Sequence, residues 1–281
     1  MNVTSLDTQI QIINALVEGN SIRATARLVG VEHKTVMRVL VRVGDACGWL
    51  LNERIRRIRA RRVQVDEIWT YVFKKQAHLD VGDDEAVMGD QYVFVAIDAD
   101  TKLALSHLVG KRDAATAFYL IQDLQSRLAH RVQLTTDGFR PYVDAVEENF
   151  GADIDYAMLV KMYGGDRQES AGPAWYGPAH VVAAMPTRIM GDPDWAHVST
   201  SYIERQNLTM RMQMRRLTRL TNGFSKKLPN LRAAVAIHFA HYNFVRIHQT
   251  LRVTPAMEAG LTDHVWELGE LLTANAERRA A

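Results

Sequence analysis

One cysteine, Cys47, stands in 281 residues, so no internal disulfide can staple this chain and Cys-rich metal frameworks are excluded. No run of about 18 apolar residues occurs, which argues against a membrane-spanning helix. The N-terminal stretch also lacks the apolar centre of a secretory signal, and a cytoplasmic location is the expectation. Acid is missing locally: from Arg205 to Arg232 there are eight Lys or Arg and no Asp or Glu. The overall net charge of +2 hides this unevenness, because residues 1–62 carry +6, 63–204 carry −11, 205–232 carry +8 and 233–281 carry −1. An acidic centre between basic flanks suits a cation site set between surfaces that attract a polyanion. With 47% hydrophobic residues the chain can bury one substantial core beside a smaller second unit.

The first fifty residues read as helices. Ser5–Glu18 has helical apolar spacing and ends at Gly19-Asn20, and a second helix runs from Ser21 to Val29. Gly30 then permits a tight turn into a third, 32–43, that buries Val36, Val39, Leu40 and Val43 and turns Lys34, Arg38 and Arg42 outward. This is a helix-turn-helix pattern, in which His33, Lys34, Thr35 and Arg38 sit where a recognition helix meets base edges and phosphates. A three-helix packing unit without DNA contact is the competing reading. Between Arg54 and Arg62 six of nine residues are Arg, a basic connector suited to a phosphate backbone through residues such as Arg56, Arg57 and Arg59.

From Val63 the period is that of strands. Val63–Phe73 is β-branched and aromatic with apolar residues on both faces, as in a central strand. Asp66 and Glu67 interrupt it, and a carboxylate in mid-strand is costly unless paired or bound to metal. Alternation puts them on opposite faces and leaves open which one meets a site. Two further strands, Tyr92–Asp98 and Leu103–Val109, form a hairpin in which Asp98 and Asp100 read as turn residues. A helix over Asp113–His130, a strand over Arg131–Thr135 leading to Asp137-Gly138, a helix over Pro141–Phe150 and a strand over Ile154–Val160 complete a β-β-β-α-β-α-β order. Asp137 thus lies at the C-terminal end of a strand, where α/β sheets hold their sites. The stretch 162–200 is rich in Pro and Gly and reads as a functional loop or an insertion.

The spacing then predicts a helix over 201–219. Ile203, Met210, Met214 and Leu217 fall on an apolar stripe, and Glu204, Asn207, Arg211 and Arg215 on one that can face a ligand. Glu204 is either a metal ligand at the edge of a polyanion site or one solvated acid on a basic helix. Another helix spans about Leu231–His248. Its His238, His241 and His248 lack a Cys or acid at ligand spacing, which favours packing over zinc. Asp263–Leu272 reads as a terminal helix, followed by a frayed tail.

Asp66, Asp137 and Glu204, taken in order with Val65-Asp66-Glu67-Ile68-Trp69, Thr136-Asp137-Gly138, Tyr202-Ile203-Glu204-Arg205-Gln206-Asn207 and Arg211, resemble the catalytic strings of insertion-sequence DDE transposases in the RNase H-like, retroviral-integrase superfamily. Tyr242-Asn243, Arg246, His248, Leu251 and Thr254-Pro255-Ala256 are similar to the tail of such enzymes, and the N-terminal helices to their helix-turn-helix. The resemblance implies an α/β fold with an RNase H-like core, a mixed five-stranded sheet with flanking helices, preceded by an all-α helix-turn-helix domain. It divides the chain into a DNA-binding domain (1–50), a basic linker (51–62), a catalytic domain (63–250, with 162–200 inserted) and a helical tail (251–281). It further implies Asp66, Asp137 and Glu204 as catalytic metal ligands for Mg²⁺ or Mn²⁺, with two ions, and DNA contacts from His33, Lys34, Thr35, Arg38, Arg42, Arg56, Arg57, Arg59, Arg211 and Arg215. The partners implied are element ends and target DNA, with a homo-oligomer assembled on DNA in the nucleoid and no membrane. An RNase H-like nuclease or resolvase that cleaves without joining, or a regulator with an inactive core, are the alternatives.

Overall fold

In the computed structural model, which describes residues 4–163, 181–219 and 221–274, the chain begins with α1 (Leu6–Val17), α2 (Ile22–Val29) and α3 (His33–Arg54). Ser5 and Ser21 cap the first two through their hydroxyls, which accept from the backbone N–H of Thr8 and Ala24. Gly30 ends α2 in the left-handed region at φ 72°, so the sharp entry into α3 costs no side-chain clash there. Glu32 contributes no side-chain cap to α3, as its poor capping chemistry leads one to expect. Helix α3 runs to Arg54, eleven residues past the Val43 end expected from its first apolar stripe, because Cys47, Leu50 and Leu51 renew that stripe.

Residues 55–61 are docked rather than free. Ile55, Ile58 and Ala60 are buried, and Ile58 exchanges backbone bonds with Arg127 and Ala129, so the intervening Arg57, Arg59 and Arg61 point to solvent. Arg56 is drawn inward to Asn52 and to the Ser126 hydroxyl.

The sheet contains β1 (Arg62–Val72), β2 (Gly89–Asp98), β3 (Ala104–Gly110), β4 (Gln133–Asp137), β5 (Asp155–Tyr163) and β6 (Val181–Met190), in the order β3-β2-β1-β4-β5-β6. Strands β1, β2 and β3 are antiparallel, while β4 and β5 run parallel to β1. That order and those directions are the RNase H-like core. The sheet has six strands rather than the five expected. The extra edge strand β6, antiparallel to β5, comes from the Pro/Gly-rich stretch, and its Pro186 is tolerated because an edge strand leaves one side unpaired. Pro173 and Pro178 of that stretch lie outside the described residues.

Helices α4 (Ala114–Arg127) and α5 (Pro141–Phe150) pack together on one face of the sheet. On the other lie α6 (Ser201–Gln213) and α7 (Leu228–Phe244). Helix α6 stops at Gln213 and not at Arg219, since Met214 is extended (φ −108°, ψ 106°) and the chain turns back on itself there, with the Thr218 hydroxyl donating to the Arg211 carbonyl. All four residues of the expected apolar stripe, Ile203, Met210, Met214 and Leu217, are nevertheless buried. Helix α7 begins three residues earlier and ends four earlier than its spacing suggested, and the C-terminal elements are α8 (Pro255–Glu258) and the short α9 (Leu268–Thr273) in place of a helix over 263–272. Trp266 packs there on Phe244 with ring centroids 4.7 Å apart.

The tail string is a clamp. Asn243 presents its amide to Ala104 of β3, accepting from the N–H and donating to the carbonyl, each at 3.0 Å, as a neighbouring strand would. The Tyr242 hydroxyl donates to the Lys102 carbonyl, and Thr254 caps α8. His238 and His241 are buried, burial pushing them down to about 3 and about 4, and His238 stacks on Tyr242 with its Nε2 3.3 Å from the Gln206 amide nitrogen.

The N-terminal helices join the sheet through one continuous apolar cluster. Among the contacts that hold them, Arg127 donates to the Leu51 and Ile55 carbonyls at the end of α3, and α3 crosses α7 at Gly44. A Cβ on Gly44 would overlap the backbone and side chain of Ala233, whereas one on Gly48 would meet only Ala236 at 3.9 Å. Gly44→Ala is therefore expected to lose about 1–3 kcal/mol by overpacking despite its better helix propensity. Gly48→Ala should be neutral or stabilising, and urea midpoints of the two variants check this.

Candidate active site

Parallel pairing of β1 with β4 matches Val65 to Thr136, so the next residues, Asp66 and Asp137, stand side by side where the strands separate. Glu67 follows on the other face. Its carboxylate still reaches back: one oxygen each from Asp66, Glu67 and Asp137 lie within 4.8 Å of one another, and among the described residues this is the one group of three or more acids, histidines or cysteines so closely placed. The expectation that only one of Asp66 and Glu67 could face the site is thus corrected. The length of the Glu side chain, at the place where β1 and β4 diverge, defeats simple alternation.

The three acids are held differently. Glu67 is 3% exposed in its side chain and already answered: Arg112 donates to it at 2.5 Å and the Tyr142 hydroxyl at 3.1 Å. Burial and Asp137 push its pKa up, and Arg112 and Tyr142 oppose that rise. Asp137 accepts from the Phe139 N–H at 3.1 Å, with Arg112 3.8 Å away. Burial nonetheless holds its pKa above the usual carboxylate range. Asp66 accepts from the Glu67 N–H at 2.8 Å and from the Asn207 amide at 2.9 Å, with no ion pair among the described residues. Burial first, then Asp137 and Glu67, pushes it up to about 7. Two neighbouring carboxylates short of compensating cation are a donor set suited to a hard divalent ion.

Glu204 is not a member of this group. It lies in the first turn of α6, 45% exposed, paired with Lys161 of β5 and accepting from Thr200 at 2.5 Å. Burial works against its charge, but Lys161 and Thr200 outweigh it and hold the carboxyl below its ordinary pKa. Lys161 links the two parts, since its charge also favours the ionised forms of Asp66 and Asp137. One turn beyond Glu204 on the same face, Asn207 bonds Asp66. Arg211 follows, near enough for Asp66 to support its charge against burial.

Three contributors had no sequence signal of their own. Arg112 sits in the β3–α4 loop, 4.1 Å over the Phe139 ring, and Lys161 is one lysine on an edge-proximal strand. Tyr142 looks like any core aromatic until its hydroxyl is seen against Glu67. The other residues marked for DNA lie apart from the acids. His33, Lys34, Arg38 and Arg42 are exposed along α3, with Thr35 partly covered and accepting from Arg38; Arg57, Arg59 and Arg215 are exposed as well.

A raised carboxylate pKa makes the folded state bind a proton that the unfolded state releases. Asp66 therefore contributes stability below its unfolded value near 4 that is lost as pH rises toward about 7. In metal-free buffer, Asp66→Asn should raise the Tm at pH 8 and change it little at pH 4. The substituted amide can be accommodated, because the buried Asn207 Oδ1 has no partner and an amide flip would turn it toward a new donor. Stabilisation by Mg²⁺ should grow between pH 6 and pH 8 in the wild type, as Asp66 loses its proton, and be absent in the variant; thermal unfolding reads both.

No family model and no curated protein matches the chain. Among solved structures, it is similar to the Mos1 strand transfer complex (16% identity, TM-score 0.24, covering 56% of this chain and 59% of that one). A Mos1 transposase paired-end complex with the left transposon end gives 15%, 0.23, 56% and 60%. The piggyBac transposase synaptic complex with hairpin DNA gives 9% identity and a TM-score of 0.42, over 98% of this chain and 72% of that one. The chain thus spans about three fifths of the Mos1 chains, and scores this low add nothing to what the sheet order itself establishes.

Proposed function

We propose that the protein is a DNA transposase of the DDE type, cutting phosphodiesters at element ends and joining the freed 3′-hydroxyl to target DNA. The observation that carries this reading is the pairing of Asp66 with Asp137 at the diverging ends of β1 and β4, short of positive charge, beside a helix that continues into an acid-free basic segment. Asp66 and Asp137 would hold Mg²⁺ or Mn²⁺, with Glu204 as third catalytic ligand once its pairing with Lys161 is exchanged for the ion. Such ions, two in this reading, would supply activation of the attacking oxygen and neutralisation of the leaving one. The protein's own part is positioning. The Glu67 N–H and Asn207 fix the Asp66 carboxylate, the Phe139 N–H fixes Asp137, and Arg112 with Tyr142 keeps Glu67 engaged on the inner face. Arg211, beside Asp66, and Arg215, exposed farther along the chain, would contact a phosphate backbone, and no covalent protein intermediate is needed.

The DNA contacts belong to the same proposal. Residues 1–50 act as the end-binding unit through His33, Lys34, Thr35, Arg38 and Arg42, and Arg57, Arg59 and Arg61 form a basic ridge alongside, with Arg56 committed to Asn52 and Ser126. The catalytic part is 63–250, and assembly on DNA would bring protomers together.

Two measurements test these assignments. With a labelled end duplex and a target plasmid, Asp66→Asn, Asp137→Asn and Glu204→Gln should each lower nicking and joining by about two orders of magnitude or more while keeping end binding. Glu67→Gln, whose charge Arg112 already answers, should lose far less. A wild type that nicks in Mg²⁺ or Mn²⁺ but never joins is a nuclease instead. Separately, replacing Lys34, Thr35 and Arg38 with Ala should weaken binding to ends but spare nicking of generic DNA. Changing Arg57, Arg59 and Arg61 to Gln should flatten the slope of log affinity against log salt by about one unit per lost contact; an identical slope makes the ridge a solvated spacer.

A further inference from the structure

A cavity of about 490 Å³ lies where the helical unit meets the core, walled by the α1–α2 turn, the start of α3, residues 214–216 and 222–226, and α7. Its size is that of a small-ligand site. Arg23, Arg215, Arg216 and Lys226 line it, and among the described residues no Asp or Glu does. Arg216 is half-buried on this wall, and its guanidinium has no acid and no hydrogen-bond acceptor among the described residues. Burial alone pushes its pKa down to about 10. Ser225 is 3% exposed, and its buried hydroxyl also lacks a partner.

A buried hydroxyl without a partner is a standing cost unless a ligand answers it, and beside it on the same wall stands a half-buried guanidinium with no acid to pair with. The ligand must be an anion, because every charge on the wall is positive, and it must accept several hydrogen bonds at once. Phosphate meets both conditions: a guanidinium offers it paired donors, and a hydroxyl and an ammonium fit the remaining oxygens. The apolar remainder of the wall, with Leu16, Met37, Met214, Phe224 and Ile237, leaves room for the sugar or base that carries it. This is not the carboxylate site. The Arg216 carbonyl accepts from the Thr70 hydroxyl, four residues along β1 from Asp66 and so about 13 Å from it.

We propose that this cavity is a phosphate-binding site with Arg216 and Ser225 as its principal ligands, taking either a phosphate of a DNA strand or that of a free nucleotide. The DNA source rests on the transposase reading; binding of the anion itself does not.

Thermal unfolding of the full chain in metal-free buffer tests it, comparing chloride, inorganic phosphate and dAMP at matched ionic strength. Phosphate should raise the wild-type Tm by several degrees over chloride and dAMP should do at least as well. Ser225→Ala should reduce the shift and Arg216→Met abolish it. In chloride Arg216→Met should unfold no earlier than wild type, since it replaces a half-buried charge that no acid pairs with by an apolar side chain of similar length. Equal wild-type Tm in phosphate and chloride overturns the proposal, as does an Arg216→Met protein that unfolds much earlier in chloride, which would make Arg216 a structural contact. End-duplex binding separates the sources. A salt slope about one unit shallower in Arg216→Met assigns the site to DNA, and an unchanged slope with the phosphate shift lost assigns it to a free nucleotide. Neither assay reads nicking or joining, so failure here leaves strand transfer to be judged on its own.

Discussion

Two aspartates held side by side on neighbouring parallel strands repel each other, and this repulsion is what the site around them is built to manage. In water each carboxylate would ionise freely and the pair would drift apart; the β1–β4 register forbids the drift, and burial removes the solvent that would screen them. Arg112 answers Glu67 directly and Asp137 at longer range, and Lys161 serves Glu204 first. Asp66 is left with two hydrogen bonds and the more distant charge of Lys161, which do not offset its burial and the neighbouring acids, and its pKa is raised. A fold that fixes acids in this way leaves a cluster of carboxylates whose charge an external cation would balance.

The remaining architecture follows from keeping that strand pair rigid. Helices α4 and α5 cover one face of the sheet, bringing Tyr142 under Glu67, and α6 and α7 cover the other, bringing Asn207 over Asp66. Helix α7 is held to the sheet by Asn243, which pairs with the Ala104 backbone as a seventh strand would. Through Gly44 and Ala233 the same helix carries the N-terminal unit, so the exposed cationic face of α3 and the acid pair belong to one packed body. Charge is distributed accordingly, with acid at the centre and bases on the surfaces that flank it.

Much of this was legible in the sequence because period and chemistry agreed. The β-β-β-α-β-α-β order, the left-handed turn at Gly30 and the four-residue apolar stripe of α6 all follow from spacing and from residues with few conformational options. Asp66 and Asp137 stood out because one acid interrupts a buried strand and the other ends one. What spacing could not reveal depends on contacts distant in sequence. Helix α6 ends at Gln213 although its apolar pattern continues, since Met214 and Leu217 reach the core from a turn as well as from a helix. The sixth strand comes from a segment whose prolines argued against regular structure, and an edge position removes that objection. Glu67, Arg112 and Lys161 become neighbours of the acid pair only when β1, β4, β5 and the β3–α4 loop are brought together.

The central claim is that Asp66 and Asp137 hold a divalent cation, and a crystal soaked in Mn²⁺ tests it most directly. An anomalous difference map should show a peak between the two carboxylates, lost in Asp137→Asn crystals soaked identically. No peak there at a Mn²⁺ concentration that fills other carboxylate sites in the same crystal, or a peak that survives Asp137→Asn unchanged, would contradict the account.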